Sequence, residues 1–83
     1  MKLLIDVFTP GNGKTYEFQL DGSLSGGQAA AQIIEAVLET ENNAVALDPG
    51  TAILSDANTA TRLNPEIRLA AAGVKSGHKL ILV

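Results

Sequence analysis

The sequence contains no cysteine and only one histidine, and these two scarcities exclude several kinds of site. Without cysteine the chain forms no disulfide and offers neither a catalytic thiolate nor thiolate ligands for zinc. One histidine is too few for a histidine-rich metal site. Paired carboxylates, a serine–histidine arrangement and metal-ligand spacing are also not discernible. The sequence therefore predicts no catalytic residues, no metal or cofactor site, and a protein that is not an enzyme.

Positive charge and long apolar runs are equally scarce. Six basic residues stand against nine acidic ones, and the basic residues do not cluster, which argues against a nucleic-acid partner. No apolar run approaches the roughly 20 residues that span a bilayer, and Asp6 interrupts the N-terminal run too early for a signal peptide. We therefore expect a cytoplasmic chain without membrane insertion, and its 83 residues suffice for one domain, 1–83.

The first 20 residues carry the pattern of a β-hairpin. Apolar residues alternate with others over 3–8 and again over 14–20, which predicts two strands. The intervening "TPGNG" is rich in residues that favour turns. The partly apolar second face of the first strand indicates an interior position in the sheet.

The apolar period then lengthens to three and four residues, which predicts one amphipathic helix over about 26–40. Ser25 and Gln28 have the spacing of a capping box at its start. Asn42 or Asn43 is suited to a left-handed cap at its end. The two glycines of the first turn indicate either flexibility or the close approach of another backbone segment.

The second half of the chain predicts short elements. "TAILS" and "RL" are β-prone, "DPG", "DANTAT" and Ser76-Gly77 are turns, and "KLILV" is a final strand that is apolar on both faces. Residues 64–73 predict a helical turn that begins at the cap Asn64 and stops at Gly73. We therefore expect a two-layer α+β fold in which a sheet packs on one main helix, with the first and last strands as its central pair.

Two short strings resemble parts of ATPases. "GNGKT" ends like a phosphate-binding loop, but the expected earlier glycine is Phe8, and Lys14-Thr15 leads into a strand where a phosphate loop requires a helix. "LSGGQ" matches the signature peptide of ABC-type ATPases, yet the capping box at Ser25 explains it locally. We expect no nucleotide binding. His78 is interpreted as a polar turn residue.

One feature points to a function. If alternate residues of the first and last strands face the helix, the remaining apolar ones form a patch on the open face of the sheet: Leu4, Phe8, Ile81 and Val83. Such a patch is typical of a protein-binding surface or a homo-oligomer contact. The alternative is that other parts of the chain cover it.

The order of elements resembles the β-grasp fold of ubiquitin over the whole chain. "GKTYEFQL" is similar to the second hairpin strand of that superfamily, and "LNPEIRLAAAGVKSGHKLILV" is similar to its C-terminal part. This ending most resembles the small bacterial YukD/EsaB proteins and the ubiquitin-like domain of actinobacterial ESX membrane components. Relatives of that type often carry an acidic residue where this chain has His78.

The resemblance implies a ubiquitin-like β-grasp with a mixed sheet of four to five strands on one main helix. It also implies a non-catalytic protein-interaction module that serves as a cytosolic accessory of type VII (ESX/WXG-type) secretion. The resemblance implies a protein partner, and a membrane component of the secretion machinery is one such partner. Because the sequence ends in "LILV" and not in Gly-Gly, we expect no conjugation. The alternatives are a sulfur or protein-modifier carrier without its Gly-Gly tail and an orphan β-grasp adaptor.

Overall fold

The computed structural model describes all of residues 1–83, and its first elements are the two strands of a hairpin. Strand β1 spans Lys2–Thr9 and strand β2 spans Lys14–Asp21, and they pair antiparallel over their full length. Gly13 has a φ of +69° in the connecting turn, a conformation that glycine adopts without steric cost. The predicted hairpin is confirmed.

Helix α1, Gly26–Thr40, has the predicted bounds and the predicted caps. The Ser25 hydroxyl accepts from the Gln28 amide, and the Gln28 side chain accepts from the Ser25 amide, so the capping box is complete. Both Asn42 and Asn43 have positive φ after the helix, at 52° and 60°. The helix packs on the sheet through one apolar stripe: Ala29, Ile33, Ile34 and Val37.

Two short strands follow the helix. Strand β3 is Leu54–Asp56 and strand β4 is Thr61–Arg62, and they pair antiparallel across the predicted polar turn. Each strand overlaps its predicted segment, "TAILS" or "RL", and also includes one residue of the intervening "DANTAT".

The single helical turn predicted over 64–73 is replaced by two separate turns. Asn64 does not cap a helix: its side chain accepts from the amide of Glu66 in a local turn, and Arg68 forms an isolated bridge with Ser25. The second half winds into its own turn, which ends at Gly73 with a φ of +88°, as the glycine predicts. The first turn is closed by the Ile67 amide, which donates to the Asn64 carbonyl over 3.1 Å, and it does not continue into a helix because the Pro65 and Ile67 carbonyls accept from the start of α1, as described below.

Strand β5, Lys79–Leu82, completes a five-stranded mixed sheet in the order β2-β1-β5-β3-β4. It runs parallel to β1 and antiparallel to β3, so the first and last strands are neighbours, as expected. The core of 14 buried apolar residues lies between this sheet and α1. It includes the predicted inward residues of the two strands: Leu3, Ile5, Val7, Leu80 and Leu82.

Candidate interaction surface

The face of the sheet opposite α1 carries the predicted apolar patch, and the structure divides that patch into two parts. Phe8 and Ile81 are register partners on the adjacent strands β1 and β5, and both are half-buried. Val83 lies two residues beyond Ile81 on the same face and is 56% exposed. These three predicted residues therefore lie side by side.

The fourth predicted residue, Leu4, lies apart from them. It is 54% exposed, but it is four residues from Phe8 along β1, which corresponds to about 13 Å of strand. Asp6 lies between the two on the same face, and its register partners are the charged residues Glu17 and Lys79. Leu4 is therefore a separate apolar position beyond a charged band.

The structure adds Ile53, which the sequence did not single out. Its amide donates to the Val83 carbonyl over 2.7 Å, and the Val83 amide donates back over 3.0 Å. Because directly paired residues of antiparallel strands project to the same face, Ile53 extends the apolar surface to the β3 side. We refer to the four residues that lie together as the open-face cluster: Phe8, Ile53, Ile81 and Val83.

The turn that contains "GNGKT" is joined to the end of the helix by polar contacts. The Lys14 ammonium donates to the two carboxylate oxygens of Glu41 over 3.1 and 2.9 Å, and the Tyr16 hydroxyl donates to the same group over 2.8 Å. The hydrogen bond from Lys14, followed by the one from Tyr16, lowers the pKa of the Glu41 carboxyl. The hydrogen bond to Glu41 likewise raises the pKa of Lys14. Lys14, the first residue of β2, therefore binds a carboxylate of its own chain through its ammonium group.

The amides of the "LSGGQ" segment all have partners within the chain. The Gly26 amide donates to the Ile67 carbonyl over 2.9 Å and the Gly27 amide donates to the Pro65 carbonyl over 3.0 Å. The Gln28 amide donates to the Ser25 hydroxyl oxygen over 3.1 Å. A helix N-terminus binds phosphate through free amides, and this one has none left in its first turn.

The same contacts explain the two glycines. A Cβ atom on Gly26 would lie 2.8 Å from the carbonyl oxygen of Asn64, and one on Gly27 would lie 3.3 Å from that of Pro65. The backbone of residues 64–67 therefore approaches the helix closely, which was one of the two interpretations of this pair of glycines.

His78 contacts a buried carboxylate that the sequence did not associate with it. Its Nδ1 lies 2.8 Å from Oδ2 of Asp56, which is fully buried at the end of β3. The other carboxylate oxygen accepts from the amide of Asn58 over 2.9 Å. The pair joins β3 to the start of β5, so His78 has a structural partner in addition to its place in the turn.

No helix of the chain combines the length and apolar character needed to cross a bilayer. No group of three or more histidine, cysteine, aspartate or glutamate side chains lies close enough together to hold a metal ion.

Comparison with known proteins gives similarity at the level of structure. No family model matches the sequence, and no curated protein matches it. The ubiquitin-like domain of Plasmodium falciparum Dsk2 superimposes with a TM-score of 0.78 at 16% identity, over 100% of this chain and 97% of that one. Caldiarchaeum subterraneum ubiquitin superimposes with a TM-score of 0.72 at 20% identity, over 99% of this chain and 91% of that one.

A third solved structure, the toluene 4-monooxygenase HD complex with the inhibitor 4-bromobenzoate, contains a chain that matches with a TM-score of 0.81. The identity is 13%, and the match covers 100% of this chain and 98% of that one. Identities this low establish the fold alone. The five-stranded mixed sheet packed on one helix is a ubiquitin-like β-grasp fold.

Proposed function

We propose that this chain is a non-catalytic module that binds a protein partner through the open-face cluster. The observation that carries the proposal is that four apolar side chains lie together on the face that α1 leaves uncovered: Phe8 in β1, Ile81 in β5, and Val83 and Ile53, which directly follow β5 and precede β3, respectively. A contiguous apolar patch on a small domain is typical of a surface that binds another protein. Ubiquitin-like domains commonly mediate protein–protein interaction.

The partner that we propose is a component of a type VII (ESX/WXG-type) secretion machinery, on its cytoplasmic side. The support is the resemblance of the C-terminal segment "LNPEIRLAAAGVKSGHKLILV" to the bacterial YukD/EsaB proteins. In the structure this segment contains β5 and the residue that follows it, and it supplies two residues of the open-face cluster, Ile81 and Val83. The cluster would bind the cytosolic part of a membrane component of that machinery.

The test is a binding measurement with the purified cytosolic part of a type VII secretion membrane component from the same organism. We expect the double variant Phe8→Asp with Ile81→Asp to lose binding, because two charges would enter the centre of the apolar surface. The control, Ala57→Asp with Ala71→Asp, adds the same charge at exposed positions outside the cluster and should bind as the wild type does.

Both double variants must unfold cooperatively in urea for the comparison to stand. Val83→Asp, at a position that is 56% exposed, gives the same readout if the first pair disturbs folding. If Val83→Asp and the first double variant both bind the partner with wild-type affinity, the open-face cluster is not part of the interface. Formation of an acyl-adenylate on the C-terminal carboxylate by a ubiquitin-activating type of enzyme, detected by intact mass, would favour the carrier alternative instead.

A further inference from the structure

The outer edge of β2 is a long, unpaired strand edge. Strand β2 ends the sheet on one side with eight residues, whereas the opposite edge strand, β4, has only two. An unpaired edge presents free backbone donors and acceptors that template pairing with another strand, and proteins shield such edges with proline, bulges or outward-pointing lysine. Residues 14–21 contain no proline, pair with β1 without a bulge, and carry one lysine, Lys14, whose ammonium is held by Glu41.

The register of the hairpin shows which backbone groups of β2 point outward. On β1 the even-numbered residues bond to the β5 side, since the Asp6 amide donates to the His78 carbonyl and the Leu4 carbonyl accepts from Gly77. The odd-numbered residues of β1 therefore bond to β2, where their register partners have even numbers. The free amides and carbonyls of β2 consequently belong to the odd-numbered residues Thr15, Glu17 and Gln19, whereas the carbonyl of Asp21, at the end of the strand, accepts from the Leu24 amide over 3.0 Å.

We propose that a second copy of this chain pairs antiparallel with this edge, so that Phe18 of each copy lies opposite Phe18 of the other. The residues whose backbone groups point outward must lie opposite the same kind of residue in the other copy, so odd-numbered residues pair with odd-numbered ones. The possible registers therefore differ from one another by shifts of two residues. Two of these registers keep most of the strand paired. One places Glu17 opposite Glu17, and the other places Glu17 opposite Gln19.

Charge selects between the two registers. Like charges that lie directly opposite each other on neighbouring strands are destabilising, so the Glu17–Glu17 register is disfavoured. The register that lies two residues beyond the Phe18-centred one, on the side away from the Glu17–Glu17 register, would place Glu17 of each copy opposite Asp21 of the other. The register centred on Phe18 avoids all of these, because it pairs Glu17 with Gln19 and Thr15 with Asp21.

The helix side of the strand supports the same register. Tyr16 and Phe18 are half-buried there, and Leu20 is buried. Centred on Phe18, the two copies place Tyr16 of one opposite Leu20 of the other on both sides of the phenylalanine pair. Aromatic and apolar cross-strand pairs of this kind stabilise a sheet. The result is one continuous ten-stranded sheet in which the two open-face clusters lie on the same side.

The decisive test uses single cysteines, which the natural chain does not contain. In the proposed register the Phe18 positions form a non-hydrogen-bonded pair with Cα atoms about 4.5 Å apart, within the range that a disulfide bridges. Phe18→Cys should therefore give a covalent dimer with oxidised glutathione under native conditions. Thr15→Cys, whose two copies lie at opposite ends of the paired region, should stay monomeric in the same experiment.

Charge variants of Gln19 test the proposal without touching the core. Gln19→Lys would place a lysine opposite Glu17 on both sides of the two-fold axis, and Gln19→Glu would place a second acid there. From the strength of cross-strand charge pairs we expect the dimer dissociation constant to fall about 2- to 30-fold in the first variant and to rise by a similar factor in the second. Sedimentation velocity over a concentration series measures both.

Several outcomes would overturn the proposal. A wild-type chain that remains monomeric at millimolar concentration, or Gln19 variants with dissociation constants equal to that of the wild type, would show that β2 does not self-associate. Faster cross-linking of Glu17→Cys than of Phe18→Cys would show that another register forms. The Phe8→Asp and Ile81→Asp double variant should still dimerise, so loss of partner binding and loss of self-association are separable.

Discussion

At the scale of single residues, Gly26 shows how a glycine inside a helix becomes necessary. In an ordinary helix, alanine is preferred to glycine by about 1 kcal/mol. Here the Cβ of an alanine would lie 2.8 Å from the Asn64 carbonyl oxygen, which is backbone and cannot move aside without loss of the Gly26 and Gly27 hydrogen bonds. The position therefore reverses the usual preference.

We predict that Gly26→Ala lowers the free energy of unfolding by about 1–3 kcal/mol, since overpacking outweighs the gain in helix propensity. Urea denaturation measures the change. Gly11→Ala is the matched control, because no atom lies within 4 Å of the position where its Cβ would be added, and it should shift the free energy by less than about 0.5 kcal/mol. Equal stability of the Gly26 variant and the wild type would contradict the close approach.

The pair of His78 and Asp56 is the second feature at this scale. Asp56 has no exposed surface, and one of its carboxylate oxygens depends on the histidine ring. Removing a partner from a buried polar group costs about 1–3 kcal/mol.

We therefore expect His78→Ala to lower the free energy of unfolding by about that amount. His78→Asn retains a side-chain donor and should lose less. Thermal or urea denaturation distinguishes the two, and equal losses would show that the contact with Asp56 does not stabilise the fold.

At the scale of elements, the β1–β2 turn and the end of α1 form one corner through Lys14, Tyr16 and Glu41. The hydrogen bond from Lys14 is the main cause of the lowered pKa of Glu41, and that from Tyr16 is the second. A carboxyl group whose pKa is lower in the folded than in the unfolded chain stabilises the fold above its unfolded value of 4.5, and this contribution is lost as the pH falls through the folded value.

We predict that Glu41→Gln destabilises the chain at pH 7 and that the difference from the wild type shrinks progressively as the pH is lowered below 4.5. Chemical denaturation at several pH values measures this difference. Glu39→Gln, an exposed acid near the end of the same helix, should show no comparable loss. A Glu41→Gln difference that is independent of pH would contradict the link to Lys14 and Tyr16.

The sequence predicts those elements whose signals are local. The hairpin and α1 follow from the spacing of apolar residues, and the Ser25 cap and the Gly73 stop follow from single positions. Asn64 and Pro65 carry the local signal of a helix start and do form a local turn, but no local pattern indicates that the Pro65 and Ile67 carbonyls accept from Gly27 and Gly26, and these hydrogen bonds keep the turn from continuing into a helix. The Asp56–His78 contact joins residues 22 positions apart, and no periodic pattern indicates it.

The candidate surface was predictable to a similar extent. Alternation within β1 and β5 places Phe8, Ile81 and Val83 on one face, and strand adjacency brings them together. The separation of Leu4 and the inclusion of Ile53 depend on the strand register, which the sequence does not specify.

At the scale of the whole molecule, both ATPase-like strings lie at places where the chain bonds to itself. The Lys14 ammonium donates to Glu41, directly after α1. The Gly26 and Gly27 amides, at the start of α1, donate to carbonyls within residues 65–67. We expect no nucleotide binding in a titration with ATP and Mg²⁺ followed by amide chemical shifts. Saturable shifts confined to residues 25–29 would show that these amides exchange their internal partners for phosphate.

The bond between the start of α1 and residues 65–67 also has a consequence for biosynthesis. A chain made from its N-terminus completes the helix sequence at Thr40, about 25 residues before the carbonyls that satisfy the Gly26 and Gly27 amides exist. Until then the first turn has two unpaired donors and two poor helix formers, so the nascent helix should fray at that end. The helix is therefore finished by a segment that emerges long after it.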